Sequence, residues 1–449
     1  MNLDVNIQDT PLPQKNYVSQ SYFVTPLQVL NSNISSGLFS ALVMALFLIL
    51  SFWKMHSFLL EGRFWAEEGV HFYTDISKLE SFWSGLSYLF HGHLEIVTNL
   101  LVLLSTKVDF QFAPLVTTYL SFLLQFIPVA FVVLCHRNLG LSRFHTFLFV
   151  VVITGLAQSA EVWANSINLH FHFAVLAALL AVFEPKTSSQ KLGSSSLIAI
   201  CGLSGIPANF LVPVFVLKAI FVKSRISLIH ALILTATALT QISLLLSHQL
   251  AMGNRQIILP PLITWYAVVA QQIWSPLAGF QIFKDAIIIM HNGIFGSSWL
   301  FLGGLMIAML GTLPILYFSS FAIRHKHKVI LLLIGSSVSL ALMSVLTALG
   351  EKLGLVSEFG AGRYFFASNF LGCLVFFVFA SKRPNWMIRI FSLVLVLSCF
   401  SRVDNMFIGP PWSLSLKEAR ESNSPEITIW PDGWQMANPE FKKTTSPGP

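Results

Sequence analysis

Apolar residues run along this chain in unbroken blocks separated by short polar connectors, and within the blocks they do not alternate residue by residue. Eleven blocks stand near 36–57, 112–135, 146–163, 169–183, 194–203, 209–222, 228–250, 296–320, 329–349, 364–381 and 388–403. Runs of roughly 17–25 apolar residues are long enough to cross a ~30 Å hydrocarbon layer as helices. Continuous rather than period-two patterning predicts helices over a β-barrel. The expected fold is all-α and polytopic, with about 11 transmembrane helices (about 10–12). The weakest pair is 194–203 and 209–222, two short runs around Gly202-Leu203-Ser204-Gly205-Ile206-Pro207 that read either as two spans or as a re-entrant hairpin. Residues 94–107 are apolar but short, with Glu95 and Lys107 at the ends, and predict an amphipathic helix on the membrane surface.

Charge supplies the topology. Arg137 and Arg143, then Lys186 and Lys191, then Lys223 and Arg225, then Arg324, Lys326 and Lys328, then Lys382, Arg383 and Arg389 fall in every second connector. Basic residues near helix ends stay on the cytoplasmic side, so the connectors 58–111, 158–168, 204–208, 251–295 and 350–363 face outward. An odd number of spans places residues 1–35 in the cytoplasm, 36–403 in one membrane domain and 404–449 outside, packed over the outer loops. The first 35 residues lack the basic start and short apolar core of a cleavable signal, so the first span is expected to remain as an anchor.

Composition narrows the class. At 55% hydrophobic and mean hydropathy +0.71, the chain is too apolar for a water-soluble domain. The net charge of +7 is dispersed through the connectors rather than gathered in a stripe, which argues against a nucleic-acid partner. Cys135, Cys201, Cys373 and Cys399 show no CxxC spacing and read as packing residues, neither a zinc set nor a disulfide framework.

Only 10% of residues are charged, so a concentration of acid is informative. Residues 61–95 hold Glu61, Glu67, Glu68, Asp75, Glu80 and Glu95 against Arg63 and Lys78, together with His71, His91 and His93. A carboxylate at a membrane surface takes a proton from a hydroxyl if its pKa is brought near ambient pH, and burial and a like-charged neighbour both raise it. Neighbours at i and i+1 do not share a helix face, so one of Glu67 and Glu68 is expected to point into a cavity. The other caps structure or binds a divalent cation such as Mg or Mn. An ordinary solvated helix start explains the pair equally well on residue types alone. His91-Gly92-His93-Leu94-Glu95 is a weak metal pattern, more simply a helix start with glycine allowing a turn, although either histidine is a substrate contact candidate. Glu161, Asn165, Asn168 and His170, with Trp163, suit sugar hydroxyls or plain interfacial anchoring. Arg363 and Tyr364 open a late span after Glu358; the guanidinium suits a phosphate, a salt bridge to Glu358 or snorkelling. Arg255 is a second phosphate candidate.

Taken together this resembles the GT-C superfamily of polytopic membrane glycosyltransferases, whose first outer loop carries an acid pair after the first span, here Glu67-Glu68. The likeness is nearest to bacterial membrane proteins with a Trp-Ala-Glu-Asp/Glu-Gly segment, a Leu-Ser-Gly turn, a Gly-Arg-Tyr helix entry and a late Gly-Trp, here Trp65 to Gly69, Leu203 to Gly205, Gly362 to Tyr364 and Gly433-Trp434. The resemblance implies a polyprenyl-phosphate-linked sugar donor, a glycan or lipid acceptor, a bacterial inner membrane, one of the two glutamates as general base, inversion at the anomeric carbon and Arg363 on the leaving phosphate. The chain departs in having Glu-Glu where Glu-Asp is common, and its tail is unlike the soluble domain of oligosaccharyltransferases, so the implied acceptor is not a protein asparagine. The rival readings are a transporter or flippase of lipid-linked saccharides, a polysaccharide polymerase or ligase, and a non-catalytic scaffold. Few polar residues, Gln125, Gln241 and Asn369 among them, lie within the spans, and no internal repeat is visible, which disfavours transport.

Overall fold

Helices carry most of the described residues, because lipid leaves backbone groups no other partner than their own helix. The computed structural model describes residues 35–156, 161–248, 261–295, 298–347, 362–383, 385–400, 411–431 and 433–441. In chain order the helices are α1 (Ser36–Glu61), α2 (Ile96–Ser105), α3 (Ala113–Leu134), α4 (Arg143–Gly155), α5 (Leu169–Val182), α6 (Ser188–Leu203), α7 (Val212–Val222), α8 (Arg225–Ser247), α9 (Pro261–Val269), α10 (Gln281–Phe295), α11 (Ser298–Arg324), α12 (Lys328–Thr347), α13 (Phe366–Lys382), α14 (Trp386–Phe400) and α15 (Trp412–Glu421). Two small antiparallel hairpins complete it: β1 (Leu89–Phe90) with β2 (His93–Leu94), and β3 (Glu426–Ile429) with β4 (Trp434–Ala437).

The chain is an all-α membrane protein. Among the described residues six helices are long and apolar enough to cross a membrane: Ser36–Glu61, Phe110–Leu134, Arg225–Ser247, Ser298–Arg324, Lys328–Val345 and Gly362–Lys382. The other five expected blocks form shorter helices, α4 to α7 and α14. Irregular backbone takes the difference: the 146–163 block leaves helix after Gly155, and the 194–222 stretch breaks at Ser204 and Gly205 before a 3₁₀ turn, Pro207–Leu211. A helix of 13 residues rises only about 20 Å. The expected polar connector 251–295 also differs, since 261–295 is largely helical, with α9 and α10 against α11.

Burial separates centre from periphery. The Gly362–Lys382 span is 83% buried and Ser298–Arg324 only 17%. Helix α5, apolar on every face, is also sequestered, as an all-round hydrophobic helix must be. Outside, Leu42, Ile49 and Trp53 of α1, Leu232 and Leu239 of α8, and Met306, Leu313 and Tyr317 of α11 are exposed, an apolar belt that only lipid would cover.

The two kinds of connector separate to opposite ends of the bundle. At the basic end Ser142 N donates to Ser381 Oγ at 3.0 Å, Arg383 Nη2 lies 3.3 Å from His325 Nε2, and Lys218 Nζ donates to Phe183 O at 3.2 Å. Helices starting here are capped by Ser35, Ser142, Thr187 and Ser224. At the acid end the 62–112 segment meets the 161–168 loop, the Ser204 turn, Arg363 and the tail.

Candidate active site

Beyond α1 the chain passes Phe64 and Trp65, turns at Ala66 with φ +38, and winds through a π-helical turn, Glu68–Tyr73. A left-handed alanine costs about 1–3 kcal/mol and persists only where its flanks are fixed. The tail fixes them: Ala66 N donates to Trp430 O, Trp430 N donates to Phe64 O at 3.3 Å, and the Arg63 guanidinium lies 4.3 Å over the Trp430 ring. Gly69 makes room for this cover, because a Cβ there would meet Ile429 Cδ1 at 2.9 Å.

The two neighbouring acids diverge. Glu68 is fully buried; its Oε1 accepts from Ser166 N at 2.8 Å and Ser166 Oγ at 2.5 Å, and its Oε2 accepts from Trp65 N at 3.1 Å. Burial raises its carboxyl above the ordinary value, against the pull of the Ser166 and Trp65 hydrogen bonds. It fastens the first loop to the 161–168 loop. Glu67 turns instead into a cavity of about 120 Å³, where its Oε2 is buried with no hydrogen-bond partner among the described residues.

Five parts of the chain build that cavity. The π-turn contributes Glu67 and Phe72, the β1–β2 hairpin Phe90, His91, His93 and Glu95, the start of α5 Ile167, Asn168, His170 and Phe171, the turn before α7 Ile206, Pro207 and Phe210, and the α12–α13 junction Ser344, Arg363 and Tyr364. Phenylalanine, isoleucine and proline make one apolar side, and the charged and imidazole groups converge on the rest.

His91-Gly92, expected at a helix start, is instead a two-residue hairpin turn with φ +49 and +79. Both residues at positive φ fit the twist that two-residue hairpins favour, and glycine is the preferred second residue. Gln241 of α8 grips this hairpin, accepting from Leu94 N at 3.0 Å and donating to Leu94 O at 2.8 Å. Helix α2 then begins at Ile96, with Glu95 at its start. Glu95 is buried, with Oε1 3.0 Å from His93 Nε2 and 3.3 Å from His170 Nδ1, while Oε2 accepts from Thr98 Oγ1 at 3.0 Å. Burial alone would raise this carboxyl, but the adjoining His170 and His93 outweigh it and hold it at about 2. His170 fits because Gly205, at φ +119, has no Cβ; one would stand 2.7 Å from His170 Cβ. The same turn pairs Ser204 with Glu95 in an antiparallel bridge.

Of the candidates read from sequence, Glu67, His91, His93, Asn168, His170, Arg363 and Tyr364 line this one cavity. Glu68, Glu161 and Asn165 do not. Glu161 pairs with Arg363 at 2.6 Å, a partner 202 positions away. Asn165 is a loop fastener, donating to Glu161 O at 2.9 Å and Trp163 O at 3.1 Å and accepting from Asn168. Arg255 and Glu358 lie outside the described residues. Sequence reading noted Glu95 in the acid-rich segment and beside His93 but did not place it among the substrate contacts; its second imidazole, His170, is 75 residues further on.

No family model, curated protein or solved structure matches the chain. The donor set also speaks to a metal. Glu67 and Glu68 point apart and cannot chelate one ion together, and the described residues contain no group of three or more His, Cys, Asp or Glu fit to hold one.

Proposed function

We propose that the protein is a membrane glycosyltransferase that moves a sugar from a polyprenyl-phosphate donor to a hydroxyl of an extracytoplasmic glycan or lipid, with Glu67 as general base. One observation carries the reading: a buried, unpartnered carboxylate oxygen shares a small cavity with an arginine, two imidazoles on a buried acid, and an aromatic wall. Glu67 takes the acceptor hydroxyl proton as that oxygen attacks the anomeric carbon, the bond to the phosphate oxygen breaks, and the carbon inverts. Arg363, within electrostatic reach of Glu67, and its neighbours offset charge developing on the phosphate. A volume of about 120 Å³ is below the roughly 300–1,000 Å³ that encloses a whole small molecule, and suits the reacting groups with the rest of the donor in lipid. Basic connectors at the opposite end support an N-terminus in the cytoplasm and an extracytoplasmic site, as in a bacterial inner membrane.

Transport is less well supported, because Gln125 and Gln241, two polar groups within spans, are spent holding loops: Gln125 donates to Val162 O and Asn165 O, and Gln241 holds Leu94. A polymerase or ligase built on a free arginine fits less well with Arg363 already paired to Glu161. The test is transfer in proteoliposomes supplied with a panel of polyprenyl-phosphate sugars and crude envelope glycan or lipid acceptors. Sugar incorporation by the wild type and none by Glu67→Gln supports the reading. Equal incorporation by both overturns it.

A further inference from the structure

Charge in the cavity presents a problem that the arginine solves only in part. Arg363 Nη1 is 2.6 Å from Glu161 Oε1, so its positive charge is already matched. Glu67 and Glu95 add two carboxylates, and among the described residues no other lysine or arginine lines the walls. With neutral imidazoles such a cavity would repel a phosphate. Only His93 and His170 among the groups held by Glu95 can change that balance.

Both are set up to do so. An ionised carboxylate only accepts hydrogen bonds, so His93 Nε2, hydrogen-bonded to Glu95 Oε1 at 3.0 Å, carries a proton, while His170 Nδ1 lies 3.3 Å from the same oxygen with no hydrogen bond among the described residues. The second nitrogen of His93, Nδ1, is buried without a partner among the described residues. A proton added to either ring makes it a cation beside the buried Glu95, and on His93 it leaves a donor with no partner in the protein. The cluster thereby passes from one negative charge to one positive charge on taking up two protons.

We infer that the Glu95–His93–His170 cluster is the oxyanion half of the cavity, binding a phosphate-type group through imidazoles that become charged when it binds. The inference rests on the proposed reading for the phosphate's place in catalysis, but not for the binding itself. The titratable and charged groups around the cluster are Glu67 and His71 on the π-turn segment, His91 on the hairpin, His172 on α5, His248 at the end of α8 against Gly92, and Glu161, Arg363 and Tyr364 on the opposite side. Proton uptake by Glu67 or by any of these neighbouring imidazoles would act in the same direction, which is why the variants below single out His93, His170 and Glu95.

The experiment is calorimetric titration of the full-length protein in zwitterionic nanodiscs with EDTA, between pH 8 and pH 5.5. The probes are sulfate and dihexyl phosphate, neither of which changes charge in that range. Wild-type affinity is expected to rise about tenfold or more as pH falls, the limit for one linked proton being tenfold per pH unit. The His93→Gln/His170→Gln protein should lose that rise, Glu67→Gln should keep it, and Glu95→Gln, which preserves shape, should move it to lower pH. A preference for dihexyl phosphate identifies a lipid-phosphate headgroup, and equal binding identifies free phosphate; both support the site. Affinity that is flat with pH, or unchanged in both the double variant and Glu95→Gln, overturns it. Binding as expected without sugar transfer would sink the transferase reading alone, whereas transfer without pH-linked binding would sink this inference alone.

Discussion

Removing the Glu68 carboxylate should unfasten two loops while leaving the cavity's own acid in place. Glu68 accepts three hydrogen bonds, two from Ser166 and one from Trp65 N, at a position fully closed to solvent. In Glu68→Gln the amide oxygen can still serve Ser166, but its NH₂ faces the Trp65 N–H, donor against donor; one unsatisfied buried donor costs about 1–3 kcal/mol. Glu68→Ala strands all three donors, and a loss of about 4 kcal/mol, in the range reserved for broken buried networks, is expected. Glu67→Gln removes no hydrogen bond from Oε2, so its effect should stay within about 0.5 kcal/mol, as for substitutions away from such networks.

The pH dependence has a definite sign. Burial raises the Glu68 carboxyl above its ordinary 4.5, so the folded state holds the proton more tightly than the unfolded one. The stabilisation from this is full below pH 4.5 and is lost as pH rises through the folded value. The wild-type advantage over Glu68→Gln should therefore shrink as pH rises. Thermal unfolding in detergent, followed by tryptophan fluorescence at several pH values, measures all three variants. If Glu68→Ala is as stable as the wild type, or Glu67→Gln is the less stable of the two glutamine variants, the assignment of roles within the pair is wrong.

Three further outcomes follow from the same geometry. Gly205→Ala places a Cβ against His170 at a φ only glycine adopts freely, and should cost about 1–3 kcal/mol and lower transfer more than a Gly→Ala change at exposed Gly37; equal activity would contradict it. Gln241→Leu leaves both Leu94 groups unpaired and should lose about 1–3 kcal/mol, with faster amide hydrogen exchange confined to the hairpin and its neighbours. Trp430→Ala removes the aromatic face under Arg63, a contact of about 0.5–2 kcal/mol, and should expose the 63–69 segment to limited proteolysis; an unchanged digestion pattern would rule out the tail as its cover.

What sequence made legible was the coarse architecture and the charge logic. Continuous apolar blocks identify helices, and alternating basic connectors anticipate two chemically distinct ends, which Ser142–Ser381 and Arg383–His325 join at one and Glu68–Ser166 at the other. Adjacency forbade Glu67 and Glu68 a common direction, and they take different ones. Block length did not carry over to helix length in five cases, α4 to α7 and α14, and a helix buried by its neighbours, such as α5, need not match the thickness of lipid. Pairings between distant segments were out of reach: Arg363 with Glu161, and Glu95 with His170, depend on how loops meet and leave no local pattern. Of the His91-Gly92 hairpin only the turn was legible, from the glycine; the apolar run that follows favoured a helix start, and the Leu89–Leu94 pairing left no signal.

The central claim is that Glu67 is the base. The most direct measurement is the single-turnover rate of sugar transfer from a polyprenyl-phosphate donor by purified wild type and Glu67→Gln, both shown folded by unfolding temperature. Loss of a positioned general base predicts a fall of about 10²–10⁴-fold with donor binding retained. A Glu67→Gln rate within a fewfold of the wild type would contradict the account.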